Sequence, residues 1–402
     1  MNVNWNKIME KYYDEIVQTA SEMIQIPSAS GEEGELARYT VEKMKSLGYD
    51  EVSVDEFGNV IGIMKGTGGG KSMMLNCHLD VVYEGDPKLW KYPPYSGKIA
   101  EGAIWGRGAS DTKGTFAIQV YTPYILKQEN LLPKGDIYVA GVVHEEDSGY
   151  GSMMLAKKGF KTDYAIVGEA TENDIAISAR GRVAVHVIIT GKSCHASIPH
   201  EGVNPFDFLG PFLVSLKDFE LGTDPELGSS TMSATQIYSS EKGTNIIPNS
   251  ITLTLDYRSV PADTHEVILE KIRKKVDECL FDGISVEVKL VTIPVHCYTG
   301  HVGEGIQGEP PHRISKDNPM VQKAKSTLEE AFGHEVPLKS WAFATDSGHF
   351  SQIGVDVIGF SPAEIKLCHT TEDRIDLEML RKGVVGYLAL TKELCDVEKE
   401  EV

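Results

Sequence analysis

Basic residues and paired cysteines are scarce in this chain of 402 residues. Lysine and arginine total 39 against 59 acidic residues, which gives a formal net charge of -20. Nucleic acid and anionic membrane surfaces bind basic faces, so neither is expected to be the main partner. The 6 cysteines form no Cys-x-x-Cys pair. This spacing favours reduced thiols over a disulfide framework or a thiolate zinc site.

Long apolar runs are also missing. No stretch approaches the roughly 20 apolar residues that cross a bilayer. The first residues are polar and acidic, unlike a signal peptide. We therefore expect a soluble, cytoplasmic protein. With 41% hydrophobic and 24% charged residues, the chain should be globular and contain two or more domain cores.

Nucleotide-binding motifs are incomplete. In the glycine-rich segment 66–72, the first glycine that a phosphate-binding loop requires would fall at Lys65. Gly106 and Gly108 begin a dinucleotide fingerprint, but its third glycine is replaced by Asp111. A nucleotide-dependent enzyme is therefore disfavoured.

Histidine and carboxylate residues follow several predicted strands. His78 and Asp80 end one apolar run and, two residues apart on a strand, lie on the same face. Further candidates follow later strands or turns: Asp111, Glu145, Glu146, Glu169 and His369. Each residue alone has an ordinary structural interpretation, such as a helix cap or a solvated turn. Because ligand sites of open α/β sheets lie at the carboxyl ends of strands, the residues together predict a zinc, cobalt or manganese site.

The same residues carry a family resemblance. The motifs are His78-Leu79-Asp80, the run 106–114, Glu145-Glu146, Gly168-Glu169 and the late His369. In this order they resemble the dinuclear-zinc metallopeptidase and amidohydrolase family. That family includes acetylornithine deacetylase, succinyl-diaminopimelate desuccinylase, aminoacylase and glutamate carboxypeptidase.

The resemblance implies two divalent metal ions, most simply zinc. Asp111 would bridge the two ions, with His78 and Glu169 completing one site and Glu146 and His369 the other. A water between cations about 3.5 to 4 Å apart becomes a nucleophile near neutral pH.

The resemblance also implies roles for two further carboxylates. Glu145 would accept the proton of the attacking water and deliver it to the leaving amine, and Asp80 would orient His78.

The resemblance and the pattern of elements together predict two domains in an α/β fold. A catalytic domain, residues 1–178 and 295–402, would contain a mixed sheet flanked by helices. Alternating strands and helices in residues 179–294 fit an inserted α+β lid and dimerisation domain. In the catalytic domain, the pattern predicts a helix from Glu32 to Leu47 with Ser30 as its cap, a hairpin of strands 52–54 and 60–64, and a long loop over residues 296–319.

The implied lid carries further candidates. Its motif around His195 would reach the partner's active site in a homodimer and stabilise the oxyanion. Asn245, Arg258 and Asp346 match substrate-contacting positions. Without the motifs, His195 is an ordinary loop histidine, Arg258 a surface residue and Asp346 a helix cap.

The predicted function is hydrolysis of the amide bond of an N-acyl amino acid. Two alternatives stay open: a carboxypeptidase or dipeptidase acting on short peptides, and a metal-binding scaffold without catalysis. Glu145 counts against the scaffold, which would need no base beside the ligands. The sequence does not choose between the two hydrolytic reactions.

Overall fold

The computed structural model describes residues 3–399. Its helices are α1 (Trp5–Ile24), α2 (Gly34–Ser46), α3 (Gly114–Gln128), α4 (Glu145–Ser148), α5 (Tyr150–Lys157), α6 (Pro205–Ser215), α7 (His265–Asp277), α8 (Pro319–Phe332), α9 (Ser347–Gln352) and α10 (Leu377–Cys395). Within residues 3–399, no helix has both the length and the apolar character needed to cross a membrane.

The strands fall into two main sheets and several short pairs. In chain order they are β1 (Glu51–Val54), β2 (Val60–Met64), β3 (Met73–His78), β4 (Lys98–Ala100), β5 (Ala103–Trp105), β6 (Ile137–Val142), β7 (Tyr164–Val167), β8 (Ile175–Ala179), β9 (Gly181–Thr190), β10 (Cys194–His195), β11 (Thr223–Asp224), β12 (Gly228–Ser229), β13 (Thr231–Ser239), β14 (Ile246–Ile247), β15 (Ser250–Ser259), β16 (Ser285–Leu290), β17 (Thr292–His296), β18 (Val302–Ile306), β19 (Gly308–Glu309), β20 (His312–Arg313), β21 (Leu338–Trp341), β22 (Asp356–Gly359) and β23 (Arg374–Asp376).

The larger sheet is mixed, as predicted. Its order is β1-β2-β6-β3-β7-β22-β8-β20, with β21 beside β8. Strand β3 is parallel to both β6 and β7, and β22 is parallel to β7. The carboxyl ends of these four strands therefore meet at one edge of the sheet. Strands β1 and β2 form the predicted hairpin, and β2 runs antiparallel to β6.

Helices cover both faces of the larger sheet. Met73 and Leu75 of β3 pack in the core formed with α1, α3, α8 and α10. Met74, which points the other way, packs in a second cluster with Leu155 of α5 and Phe350 of α9. A strand buried on both faces needs apolar residues at every position, which explains the continuous apolar runs of the sequence.

A smaller sheet forms the predicted inserted α+β domain. Its order is β13-β15-β9-β16, with β19 also paired to β9. Helices α6 and α7 contribute Phe208, Phe212, Ile268 and Ile272 to its core. Strand β13 was not predicted because its side chains are mostly polar and exposed. The domain boundaries stay a prediction, and β19 at 308–309 lies beyond the predicted end at 294.

Two local predictions differ from the structure. Helix α2 begins at Gly34 without a side-chain cap, whereas the sequence suggested a start at Glu32 capped by Ser30. Residues 296–319, expected to be a long loop, include the turn and second strand of the β17–β18 hairpin and the short strands β19 and β20. The hairpin tip is anchored because Tyr298 Oη donates a hydrogen bond to the Gly58 carbonyl at 2.8 Å.

Candidate metal centre

Three neighbouring strands of the larger sheet lead to one cluster of histidine and carboxylate side chains. His78 is the last residue of β3, Glu145 begins α4 just after β6, and Glu169 follows β7. These residues are distant in sequence. They come together because β3 lies between β6 and β7 and runs parallel to both.

Asp111 stands on the glycine-rich turn that leads into α3. Gly108 adopts a φ of 84°, a left-handed conformation that favours glycine. The main-chain N–H groups of Gly108 and Ser110 donate to the buried Asp373 carboxylate at 2.7 and 2.9 Å. This turn is therefore held by a second acid, which the sequence did not single out.

The Asp111 carboxylate lies between two histidines. Its Oδ1 is 3.0 Å from His78 Nε2, and its Oδ2 is 3.1 Å from His369 Nε2. His369 Nε2 is also 3.0 Å from an oxygen of Glu146. A carboxylate with one imidazole nitrogen at each oxygen is arranged as a ligand that two cations could share.

Asp80 holds the turn that carries Glu145 and Glu146. Its carboxylate accepts hydrogen bonds from both main-chain N–H groups, at 3.1 and 3.0 Å, and from Ser30 Oγ at 2.7 Å. His78 Nδ1 instead bonds to the main-chain oxygen of Asp80 at 2.8 Å, and the Asp80 carboxylate is 3.7 Å from that nitrogen. A carbonyl only accepts, so Nδ1 carries the hydrogen and Nε2 is free to bind a cation. The expected orientation of His78 by Asp80 thus comes mainly from the backbone.

Negative charge is concentrated at this edge. Desolvation and then the charge of Glu309 raise the pKa of Glu145 well above its ordinary value. Desolvation and then the charge of Asp111 do the same to the pKa of Glu169. Desolvation also opposes ionisation of Asp111, but hydrogen bonds from its two histidine partners outweigh it and lower its pKa. A bound cation would offset the repulsion between these carboxylates.

The donor atoms are close enough to hold metal ions. Two groups each bring their donor atoms within 4.8 Å of one another: His78, Asp111 and Glu146, and His78, Glu145 and Glu169. Both groups offer nitrogen and oxygen without sulfur, the donor set predicted from the sequence. The predicted ligands therefore converge, and Glu145 lies near enough to join them.

A cavity of about 480 Å³ opens onto this cluster. Its lining from the catalytic side includes Asp111, Glu145, Glu146, Glu169 and His369. Its lining from the smaller sheet includes Arg182, Arg258 and Glu309. The cavity thus lies between the two sheets, and its volume suits a small molecule.

Arg258 lines the cavity together with a second arginine. Arg182 is its direct partner on the neighbouring strand β9. Both guanidinium groups contact Asp256, at 2.7 Å from Arg258 and 3.1 Å from Arg182. Arg182 was not predicted because only the strand register brings it beside Arg258. The pair can bind a carboxylate through parallel hydrogen bonds.

The structure does not bring His195 and Asn245 into the cavity of their own chain. Both are exposed, and they lie side by side because the Ala196 N–H donates to the Asn245 carbonyl at 2.9 Å. The His195 ring hydrogen-bonds to Ser197. Asp346 is 1% exposed and does not line the cavity, and its side chain makes no capping hydrogen bond to α9.

Sequence reasoning missed Glu309. It lies in Gly308-Glu309-Pro310-Pro311, within the segment interpreted as a loop. In the structure it is 6% exposed and lines the cavity. A lone acid between glycine and two prolines was the available signal, but only strand pairing of β19 with β9 shows where its side chain goes.

The model of peptidase family M20/M25/M40 matches residues 74–393 of the chain. The chain belongs to this family. The resemblance inferred from the motifs is therefore confirmed, and the matched region contains all five predicted metal ligands. As a member of the M20 family, the protein is a metal-dependent hydrolase of carbon–nitrogen bonds.

Curated relatives match this M20 chain over most of their length. Protein YgeY of Escherichia coli is 27% identical over 381 residues, covering 93% of this chain and 93% of the relative. Succinyl-diaminopimelate desuccinylase of Paracoccus denitrificans is 27% identical over 378 residues, covering 91% and 94%.

Solved structures share the fold. Aminopeptidase PepT of Bacillus cereus has a TM-score of 0.73 at 21% identity, with 95% of this chain and 98% of that chain covered. The M20 metallo-carboxypeptidase Sso-CP2 of Sulfolobus solfataricus has a TM-score of 0.74 at 18% identity, covering 95% and 99%. Because these two proteins are named for different activities, the shared fold leaves the substrate open.

Proposed function

We propose that the protein hydrolyses the amide bond of a small N-acyl amino acid or short peptide with the help of two divalent cations. The observation that carries this proposal is Asp111, whose oxygens lie 3.0 and 3.1 Å from Nε2 of His78 and His369. The desuccinylase of Paracoccus denitrificans and the aminopeptidase of Bacillus cereus, named above, support the two substrate types.

The residues fit a pair of zinc ions, with cobalt or manganese as alternatives. His78 and Glu169 would hold one cation, Glu146 and His369 the other, and Asp111 would contact both. Imidazole nitrogen and carboxylate oxygen suit all three metals. When bound, the cations supply a water acidic enough to attack at neutral pH and polarise the scissile carbonyl.

Glu145 is the proposed general base. It lines the cavity and lies within 4.8 Å, donor atom to donor atom, of His78 and Glu169. It would accept the proton of the attacking water and then give it to the leaving amine. Asp80 supports this role because it accepts the Glu145 N–H and so holds the turn.

The substrate's free carboxylate would bind Arg258, and Arg182 stands beside it. Both arginines line the cavity, and their shared partner Asp256 leaves one positive charge uncompensated. A guanidinium binds a carboxylate with two parallel hydrogen bonds. Asp346 would act from behind the cavity wall, without direct contact.

His195 and Asn245 would act across a homodimer. Both are exposed on one loop pair outside their own chain's cavity. In the partner's cavity, His195 would stabilise the oxyanion of the tetrahedral intermediate and Asn245 would contact substrate.

The proposed function is tested with chelator-stripped protein and a panel of N-acyl amino acids and dipeptides, with and without added zinc, cobalt or manganese. Metal-restored release of a free amino group supports the proposal. Binding of two metal ions per chain without turnover across the panel would favour the scaffold alternative.

A further inference from the structure

Glu309 lines the cavity, and one oxygen of its carboxylate has no hydrogen-bond partner in the described part of the chain. Glu309 is 6% exposed, lies on β19 and lines the cavity. Within residues 3–399, its Oε2 is buried and accepts no hydrogen bond. Arg182 is its direct neighbour across the strand pair, but its guanidinium contacts Asp256 instead. Such a group is costly to bury unless a ligand supplies the missing donor.

Glu309 packs closely against Gly149 and His349. A Cβ atom at position 149 would lie only 3.0 Å from Glu309 Oε1 and 2.7 Å from His349 Nε2, so a glycine is what allows this close packing. The His349 ring is buried, and burial lowers its pKa to about 3, so it is neutral and does not compensate Glu309. Its Nε2 also has no hydrogen-bond partner in the described part of the chain. We call the group of Glu309, Gly149 and His349 the Glu309 cluster, of which Glu309 lines the cavity.

The Glu309 cluster lies close to the proposed reaction centre. Glu309 packs against Gly149, whose main-chain N–H donates to the Glu145 carbonyl at 3.3 Å, and both Glu309 and Glu145 line the cavity. Desolvation and then the charge of Asp346 raise the pKa of Glu309 well above its ordinary value. A positively charged donor at Glu309 would relieve this repulsion and lie near the bond that Glu145 serves.

We propose that Glu309 binds the α-ammonium group of a short peptide and thereby selects peptides with a free N-terminus over N-acyl amino acids. This inference rests on the proposed function. In such a peptide, the α-ammonium is one carbon from the scissile carbonyl and therefore close to Glu145. The leaving residue's carboxylate would reach Arg258, so the side of the cavity formed by the smaller sheet offers an arginine to the carboxylate and Glu309 to the ammonium group. An acetyl group has no donor for Glu309, and a succinyl carboxylate would be repelled.

The test compares matched substrates that differ only in the amine. Alanyl-amino acids and the corresponding propionyl-amino acids are hydrolysed by the metal-loaded protein across a panel of C-terminal residues. We expect the wild type to prefer the alanyl substrate by about 10- to 100-fold in kcat/KM, the range of one charge-assisted hydrogen bond. Glu309→Gln should remove this preference by lowering only the alanyl value.

The test includes a control variant and results that would contradict the proposal. Glu304→Gln changes an exposed acid of the preceding strand β18 and should behave as the wild type. A wild-type preference for propionyl or succinyl substrates would overturn the role of Glu309 and leave amide hydrolysis standing. This result is measured on the wild type alone and does not depend on whether the variant folds. Equal losses on both substrates in Glu309→Gln would also overturn it. No metal-restored hydrolysis of any substrate would overturn the proposed function itself.

Discussion

On the catalytic side of the cavity the polar groups are held by partners within the chain, whereas on the side of the smaller sheet they are only partly held. Asp111 contacts two histidines, and the Asp80 carboxylate accepts three hydrogen bonds. Across the cavity, the Arg258 and Arg182 side chains are each 42% exposed, and Glu309 Oε2 has no partner within residues 3–399.

This difference separates chemistry from recognition. Groups that act on every substrate gain from being fixed before the substrate arrives, because their geometry then costs nothing during the reaction. Groups that select a substrate keep hydrogen-bonding capacity for it. The comparison predicts that changes on the catalytic side lower kcat, and that changes on the opposite side alter KM and substrate choice.

The largest effect should come from Glu145. Glu145→Ala and Glu145→Gln are each expected to lower kcat by about 1,000-fold or more, because the proton of the attacking water has no acceptor. Metal content, measured by elemental analysis, should stay at two ions per chain. Because Glu145 lies among possible ligands, loss of one ion would instead make it a metal ligand. Normal turnover would remove it as the base.

The next largest effect should come from His195, which lines neither side of the cavity in its own chain. His195→Ala should lower kcat by about 100- to 1,000-fold, the cost of losing an oxyanion donor. If the histidine acts in the partner's cavity, mixing His195→Ala with Glu145→Ala subunits should restore about a quarter of wild-type activity after random exchange in a dimer. Proven subunit exchange without recovery would count against this role.

On the side of the smaller sheet, substrate binding is tested most directly at Arg258. Arg258→Ala should raise KM by about 10- to 100-fold for substrates with a free carboxylate, with a smaller change in kcat. The matched substrate is its C-terminal amide, for which the variant and the wild type should differ little. The same KM measurement on Arg182→Ala, in the paired strand, distinguishes the contribution of Arg182 from that of Arg258. An equal loss on acid and amide would show that Arg258 supports the sheet and does not bind substrate.

The residues on the two sides of the cavity also differ in whether they could be predicted from the sequence. His78, Asp111, Glu145, Glu146, Glu169 and His369 stand in short motifs at strand ends or turns, so local pattern and strand order suffice to group them. Arg182 and Glu309 reach the cavity only through the register of β9 with β15 and β19. Strand pairing of residues far apart in sequence leaves no local pattern to recognise.

The same reasoning explains the errors in the fold. Apolar periodicity predicted the helices and the buried strands, because burial imposes that pattern. Strand β13 is exposed along most of its length, and the β17–β18 hairpin depends on contacts of its tip with a distant turn. Strand β13 therefore leaves no buried apolar pattern, and β17 offers only the alternating pair Ile293 and Val295. Ser30 looked like a helix cap, but its hydroxyl bonds to Asp80 across the fold.

Ser30 gives the smallest and sharpest test of the comparison. Ser30→Ala removes the 2.7 Å hydrogen bond to Asp80 and leaves the two main-chain donors in place. Loss of one hydrogen bond to a charged group should lower the free energy of unfolding by about 1.5 to 3 kcal/mol. Because Asp80 positions the turn of Glu145, kcat should fall by a few-fold while KM and the choice between acid and amide substrates stay unchanged. Ser46→Ala, at an exposed helix end, is the control in urea unfolding and steady-state kinetics. A change in KM alone would mean that the catalytic wall also recognises substrate, and the division between the two walls would fail.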